Sequence, residues 1–170
     1  ARTKLAVQFA VAAAMYGFGF RINYIANPFG EAIRLGYLAF PFTILWIAGV
    51  INAMNLIDGL DGLAGGVALI AVVTTFAIAV LSDRPLMILF TAALAGAVLG
   101  FLFYNFNPAS IFMGDTGSMF LGFVLATTAI QTNQKSTTAV AILVPIVALG
   151  VPIADTVLAM ARRAARGAPL

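Results

Sequence analysis

Six apolar stretches divide the chain, at roughly 5–20, 38–56, 63–81, 86–106, 118–132 and 138–161, and only short connectors separate them. A helix crossing ~30 Å of hydrocarbon needs about 20 apolar residues. Lipid offers no hydrogen-bond partner to open backbone, so each stretch must satisfy its peptide groups within itself, as a helix does. The pattern predicts an all-α, polytopic transmembrane helix bundle of about six spans. The first and fifth stretches are short and must cross nearly upright or with help from their flanks. Composition agrees: 62% of the 170 residues are hydrophobic and 9% are charged, whereas a soluble domain carries about 25% charged residues.

Six spans put both ends of the chain on one side. Arg2, Lys4, Arg162, Arg163 and Arg166 flank that side, against Arg21, Arg34, Arg84 and Lys135 on the other, so the charge bias favours termini in the cytoplasm. The connector 21–36 carries Ile22 and Tyr24 before a turn at Asn27, Pro28 and Gly30, which predicts a small external hairpin. No repeat or low-complexity linker interrupts 1–170, which reads as one transmembrane domain, an internal piece of a longer protein. The net charge of +3 comes from membrane-edge residues, and no basic cluster is interleaved with aromatics, so no nucleic acid is expected. The chain has no cysteine and no histidine, which excludes thiolate chemistry and imidazole bases. Any metal site must be built from oxygen.

The six acidic residues are unevenly placed. Glu31 and Asp83 fall on the external side; Asp58, Asp61 and Asp115 fall in two internal loops, and Asp155 in the internal half of the last stretch. A carboxylate at membrane depth costs roughly 2.5–3.5 kcal/mol at a helix centre, so it is normally paired, metal-bound or turned to water. Asp155 is expected to face the bundle interior, toward the same cleft or a neighbouring helix. The first loop, "NAMNLIDGLDGLAGG" (52–66), repeats Asn52, Asn55, Asp58 and Asp61 at a spacing of three. Residues three apart on a helix are 300° apart, so this ladder cannot share one face, and the helix is expected to end near 56–58 with the loop wrapping both aspartates toward a common point. Helix capping by Asp58 or Asp61 is the alternative. The second loop, "YNFNPASIFMGDTGS" (104–118), sets Asp115 between Gly114 and Gly117 at the start of a span. Backbone N–H groups there, with the Thr116 and Ser118 hydroxyls, can receive a phosphate oxygen; a plain N-cap is again the alternative. Several carboxylates crowding one face suit a divalent cation, Mg²⁺ or Mn²⁺. Phe112, taken by itself, reads as an interface aromatic.

The two loops together resemble the polyprenyl-phosphate N-acetylhexosamine-1-phosphate transferases, in the superfamily that also holds the phospho-MurNAc-pentapeptide translocases. Ile57 stands where the translocases tend to carry threonine, and "PIADTVLAMARR" (152–163) is closer to the N-acetylglucosaminyl-phosphate enzymes of O-antigen and teichoic acid initiation. The resemblance implies transfer of a sugar 1-phosphate from a UDP-sugar to a polyprenyl phosphate, releasing UMP, at the cytoplasmic face of a bacterial inner membrane. It implies Asp115 as principal Mg²⁺ ligand with Asn55 contributing, and Asp58 and Asp61 as essential acids around the UDP-sugar. Asn105 and Phe112 match positions that contact and stack on uracil, with Asn52 and Gly114 beside them in the same motifs. An acidic pair upstream and a histidine-rich segment downstream belong to the family pattern but not to this sequence, so the chain alone is expected to be inactive. Oligomeric state is open, with a homodimer one option. A rival from another class is an ion-coupled transporter using Asp58, Asp61 and Asp115 as a relay, which would place them on broken helices near mid-membrane.

Overall fold

The structure is a computed structural model and describes residues 2–25 and 32–133. Five helices account for nearly all of it: α1 (Arg2–Gly17), α2 (Ala39–Ile57), α3 (Leu63–Leu81), α4 (Pro85–Asn105) and α5 (Gly114–Asn133). Their ends follow local chemistry. Gly62 takes a φ of 73° immediately before α3, a conformation costly for a residue with a Cβ. Pro85 opens α4 within its first turn, where its missing N–H has no intrahelical partner to lose. Pro41 is tolerated in the first turn of α2 for the same reason.

Two short strands, β1 (Tyr24–Ile25) and β2 (Ile33–Arg34), pair antiparallel with Tyr24 opposite Arg34 and Ile25 opposite Ile33. This is the expected hairpin; its turn, 26–31, lies outside the described residues. It is tied to the start of α2, where Ile22 N donates to Thr43 Oγ1 at 3.0 Å.

The bundle is built around α2, which lies along α5 on one side and α1 on another, while α3 runs along α4 and also touches α5. Ile47, Val50, Ile51, Met54 and Ile57 of α2 meet Ala12 of α1, Ala64 and Ala68 of α3, and Leu121, Ala126 and Ile130 of α5. Buried hydroxyls turn back onto their own helix: Thr43 bonds Ala39 O, Thr91 bonds Met87 O and Thr128 bonds Val124 O. That satisfies each hydroxyl where no water is available. Helix α4 buries only Thr91, Val98 and Asn105. Its remaining apolar surface, including Leu89, Leu99 and Phe103, is exposed, as suits a helix facing hydrocarbon.

The chain is a membrane protein, and the all-α bundle agrees with the expectation from its sequence. The span count is lower than expected. Among the described residues three helices are long and apolar enough to cross a membrane: Gly36–Ile57, Leu63–Leu81 and Pro85–Asn105. Helix α1 has 16 residues, a length of about 24 Å at 1.5 Å per residue, and starts three residues earlier than the expected stretch. Helix α5 begins on the polar run Gly114–Ser118 and ends among Thr127, Thr128, Gln131 and Thr132, which dilutes its hydropathy. The sixth stretch lies outside the described residues, as does Asp155.

Candidate functional site

The start of α1, the end of α2 and the starts of α3 and α5 meet at one end of the bundle, opposite the hairpin. Helix α2 ends at Ile57, and Asp58 is its C-cap residue. A carboxylate there faces the negative end of the helix dipole, an unfavourable position. The N-cap position of α3 is Gly62, with no side-chain cap bond, so neither Asp58 nor Asp61 caps that helix. The capping alternative fails for both.

Asp58 instead reaches the second loop. Its carboxyl lies near the Gly114 N–H and feels the charge of Asp115; burial first, then that charge, push its pKa up from the ordinary carboxylate range, against the opposing pull of the Gly114 N–H. Gly114 holds this position with a φ of 66°. Asp115, in the first turn of α5, is ion-paired with Lys4 of α1. Its Oδ1 also accepts from Asn55 Nδ2 at 3.2 Å. Lys4 first and Asn55 second hold Asp115 below its ordinary pKa. Asn55 Nδ2 donates to Ser118 Oγ as well, at 3.0 Å. Ser118 Oγ in turn bonds Gly114 O, so this hydroxyl works inside the bundle.

Asp61 addresses a different part of the second loop. Its Oδ2 accepts from Asn107 Nδ2 at 3.3 Å and from Ala109 N at 3.1 Å. Both first-loop aspartates thus meet the second loop, at separate stretches of it: Asp58 engages 114–115 and Asp61 engages 107–109. Among the described residues no three acidic side chains gather closely enough to hold a metal by themselves. The cause is the reversal of the chain at Gly59 and Gly62, which turns the two carboxylates toward separate stretches.

Asn105 is 3% exposed, and both ends of its amide are engaged: Oδ1 accepts from Gly62 N at 3.1 Å and Nδ2 donates to Ile111 O at 2.8 Å. It locks the second loop against the start of α3. Asn52 lies one turn inside the site, bonded to Gln8 and to Ala48 O. Phe112 is 71% exposed, its ring free on the surface of the second loop. By sequence Lys4 is no more than an inner-side charge. Its partner lies 111 residues away, and only its place ahead of the first apolar stretch hinted at this end of the bundle.

The residues fit a hard divalent cation in kind. Asp58 and Asp115 are mutually repelling carboxylates, Asn55 offers an amide oxygen when its side chain rotates, and the Lys4 ammonium already places positive charge on Asp115. Mg²⁺ is commonly held by one or two carboxylates, with waters and substrate phosphates completing six ligands. The transporter reading fits less well: among the described residues, none of the three candidate spans contains an acidic residue.

Residues 1–133 match the family described as glycosyl transferase family 4. Over its whole length the chain is 43% identical to a probable undecaprenyl-phosphate N-acetylglucosaminyl 1-phosphate transferase of Bacillus subtilis, covering 48% of that protein. It is 45% identical over 139 residues to a phospho-N-acetylmuramoyl-pentapeptide-transferase of Trichormus variabilis, which aligns 78% of this chain and 38% of that one. A protein of the same name from Streptococcus suis is 43% identical over 111 residues, 65% of this chain and 33% of that one. The chain thus spans less than half the length of these relatives. With two loops meeting at one end of a membrane bundle and a match across most of its length, the chain belongs to glycosyl transferase family 4.

Proposed function

We propose that the full-length protein containing this chain transfers a sugar 1-phosphate, GlcNAc 1-phosphate, from a UDP-sugar to a polyprenyl phosphate, releasing UMP at the cytoplasmic face of a bacterial inner membrane. The observation that carries this reading is the placement of Asp58 beside Asp115, with Asn55 and Lys4 against the latter, at the end of the bundle where the two loops meet. The names of the relatives, which act on undecaprenyl phosphate or transfer a phospho-sugar peptide, point the same way.

In the proposed reaction an oxygen of the lipid phosphate forms a bond to the sugar-bearing phosphorus. The bond from that phosphorus to the UMP oxygen breaks, and its electron pair leaves with UMP. Three anionic phosphates must approach one another, so the task is charge neutralisation and positioning. Mg²⁺ or Mn²⁺, held by Asp115, Asp58 and Asn55, supplies neutralisation when bound. Lys4 adds a fixed positive charge at the same place. Asp61 and Asn105 hold the 105–111 loop to the start of α3, so Phe112 is presented on a braced support for the uracil ring.

Polyprenyl-phosphate-dependent release of UMP from UDP-GlcNAc tests the proposal in the reconstituted full-length protein. Ion flux in proteoliposomes without UMP release would overturn it in favour of the transporter. Phe112→Leu is expected to raise the KM for UDP-sugar about 5- to 150-fold, since base stacking contributes ~1–3 kcal/mol. Its metal dependence should be retained, and an unchanged KM would remove the stacking role. Asp58→Asn should separate stability from activity. Burial and the Asp115 charge disfavour the ionised carboxyl in the fold, and it faces the α2 C-terminus. A neutral amide there should stabilise the protein by roughly 0.3–1 kcal/mol, read as a higher Tm, while UMP release falls. Lower Tm with intact activity would assign Asp58 a structural role instead.

A further inference from the structure

Below the Lys4–Asp115 pair lies a second polar contact between the same helices. Gln8 stands four residues after Lys4 on α1, so the two side chains share a face. Gln8 is 7% exposed and exchanges hydrogen bonds with Asn52 of α2: Asn52 Nδ2 donates to Gln8 Oε1 at 2.7 Å, and Gln8 Nε2 faces Asn52 Oδ1 at 3.4 Å. Gln8 Nε2 also approaches Met119 Sδ of α5 at 3.8 Å. Asn52 is anchored further by Ala48 O at 2.7 Å. The helices therefore present two matched tiers. Lys4, Asn55 and Asp115 form the upper one, and Gln8, Asn52 and Met119 the lower, at spacings of four, three and four residues.

Beyond Tyr16, edge-on to Phe40 of α2 at 5.1 Å near the far end, and Met15 against the core, α1 turns few large side chains inward to fix its register. Its sequence is rich in alanine, with Ala6, Ala10, Ala12, Ala13 and Ala14, and Ala12 is its one residue in the buried core cluster. Small side chains in an apolar bundle can slide past their neighbours with little change in packing. A polar pair cannot, because a slip strips the Gln8 amide and Asn52 Oδ1 of their mutual bonds away from water, leaving Asn52 only its bond to Ala48 O, and polar residues in helix interfaces are known to specify register. One turn of slip moves α1 by ~5.4 Å, enough to carry Lys4 off Asp115.

We infer that Gln8 is a positioning residue: its amide pair with Asn52 sets the axial register of α1 and thereby delivers Lys4 to Asp115. This rests on the transferase reading for its consequence in activity but not for its geometry, and the experiment separates the two. This chain contributes no cysteine, so pairs can be introduced into it within the full-length protein in membranes, with every cysteine outside it replaced by serine. Lys4→Cys with Asp115→Cys reports the α1–α5 register, and Asn55→Cys with Ser118→Cys reports an α2–α5 contact that does not involve α1. Adding Gln8→Leu should slow cross-linking of the first pair about fivefold or more and leave the second unchanged. Exchanging the two side chains, Gln8→Asn with Asn52→Gln, retains one long and one short amide and should restore most of the rate; it also supplies the test should Gln8→Leu fail to accumulate. An unchanged rate for the first pair would overturn the inference, as would equal losses in both pairs, which would make Gln8 a general support of the bundle. In the protein with Lys4 and Asp115 intact, Gln8→Leu should lower kcat for UMP release with little change in the KM for UDP-sugar. Loss of register without any effect on activity would leave the geometry standing and count against the role proposed for Lys4.

Discussion

Asp115→Asn, made in the full-length protein, is expected to reduce Mg²⁺-dependent UMP release at least ~100- to 1000-fold, the loss typical of removing one electrostatic group from a site that stabilises developing charge. The protein should remain folded. Asparagine keeps the volume of the side chain and one oxygen able to accept from Asn55, which now reaches Asp115 Oδ1 at 3.2 Å. It removes the charge that a hard dication requires and that Lys4 meets in this structure. The alternative reading, in which Asp115 serves only the start of α5, makes the opposite prediction. Asparagine and aspartate are comparable at helix starts, and the dipole term is a few tenths of a kcal/mol to about 1. Near-normal activity of Asp115→Asn, across a Mg²⁺ titration, would therefore remove the metal assignment and leave a structural role. A Tm close to that of wild type is needed beside the activity loss, because unfolding would produce the same loss for a different reason.

Lys4→Met sharpens the same test. With its cation gone, Asp115 loses its largest stabilising partner, and its remaining partner among the described residues is neutral Asn55. If the lysine only neutralised Asp115, added Mg²⁺ would replace it, and activity would return as Mg²⁺ is raised. If it also meets the diphosphate, activity should stay low at saturating metal.

What was legible in the sequence follows from the range of the forces involved. The end of α2 at Ile57 and the start of α3 at Leu63 are local matters, decided by two glycines within four residues and by the resumption of an apolar run. The start of α4 at Pro85 is local too. The apolar pattern begins at Leu5, three residues after the true start of α1, because Arg2, Thr3 and Lys4 read as a polar flank, although nothing in their backbone preference forbids helix. The site was legible as two loops of unusual polarity in an apolar chain, since each carboxylate must be accounted for near a membrane. How the loops interlock was not. Lys4 with Asp115, Asn55 with Ser118 and Asp61 with Ala109 are pairings over 111, 63 and 48 residues, and no periodicity within one stretch encodes them. Asn105 shows the same limit: a polar residue in a functional motif is open to a ligand role or a bracing role, and only the neighbouring Gly62 N–H and Ile111 carbonyl reveal that its amide braces the loop.

Gly122→Val is expected to damage the site from a distance, through packing alone. A Cβ at Gly122 would lie 2.9 Å from Ile51 Cα, 3.0 Å from Val50 O and 3.1 Å from Met54 Cβ. Two of these are backbone atoms of α2, which no rotamer change can move aside. The glycine thus sets how closely α5 approaches α2, the small-residue contact by which membrane helices come together. Forcing the helices apart should destabilise the protein by at least about 1–3 kcal/mol, the usual cost of overpacking. It should also displace Asp115 and Ser118 of α5 from Asn55 of α2, whose hydrogen bonds of 3.2 and 3.0 Å leave little slack. Apparent affinity for Mg²⁺ should fall even in molecules that remain folded, and Gly122→Ala should show the same direction with smaller size. Gly96→Ala on α4 is the matched control, since a Cβ there meets nothing within 4 Å and alanine favours helix. It should leave Tm and activity unchanged or slightly improved. Equal behaviour of the two glycines would mean that α2 and α5 adjust freely, and the rigid spacing required to hold Asn55 against Asp115 would have no support.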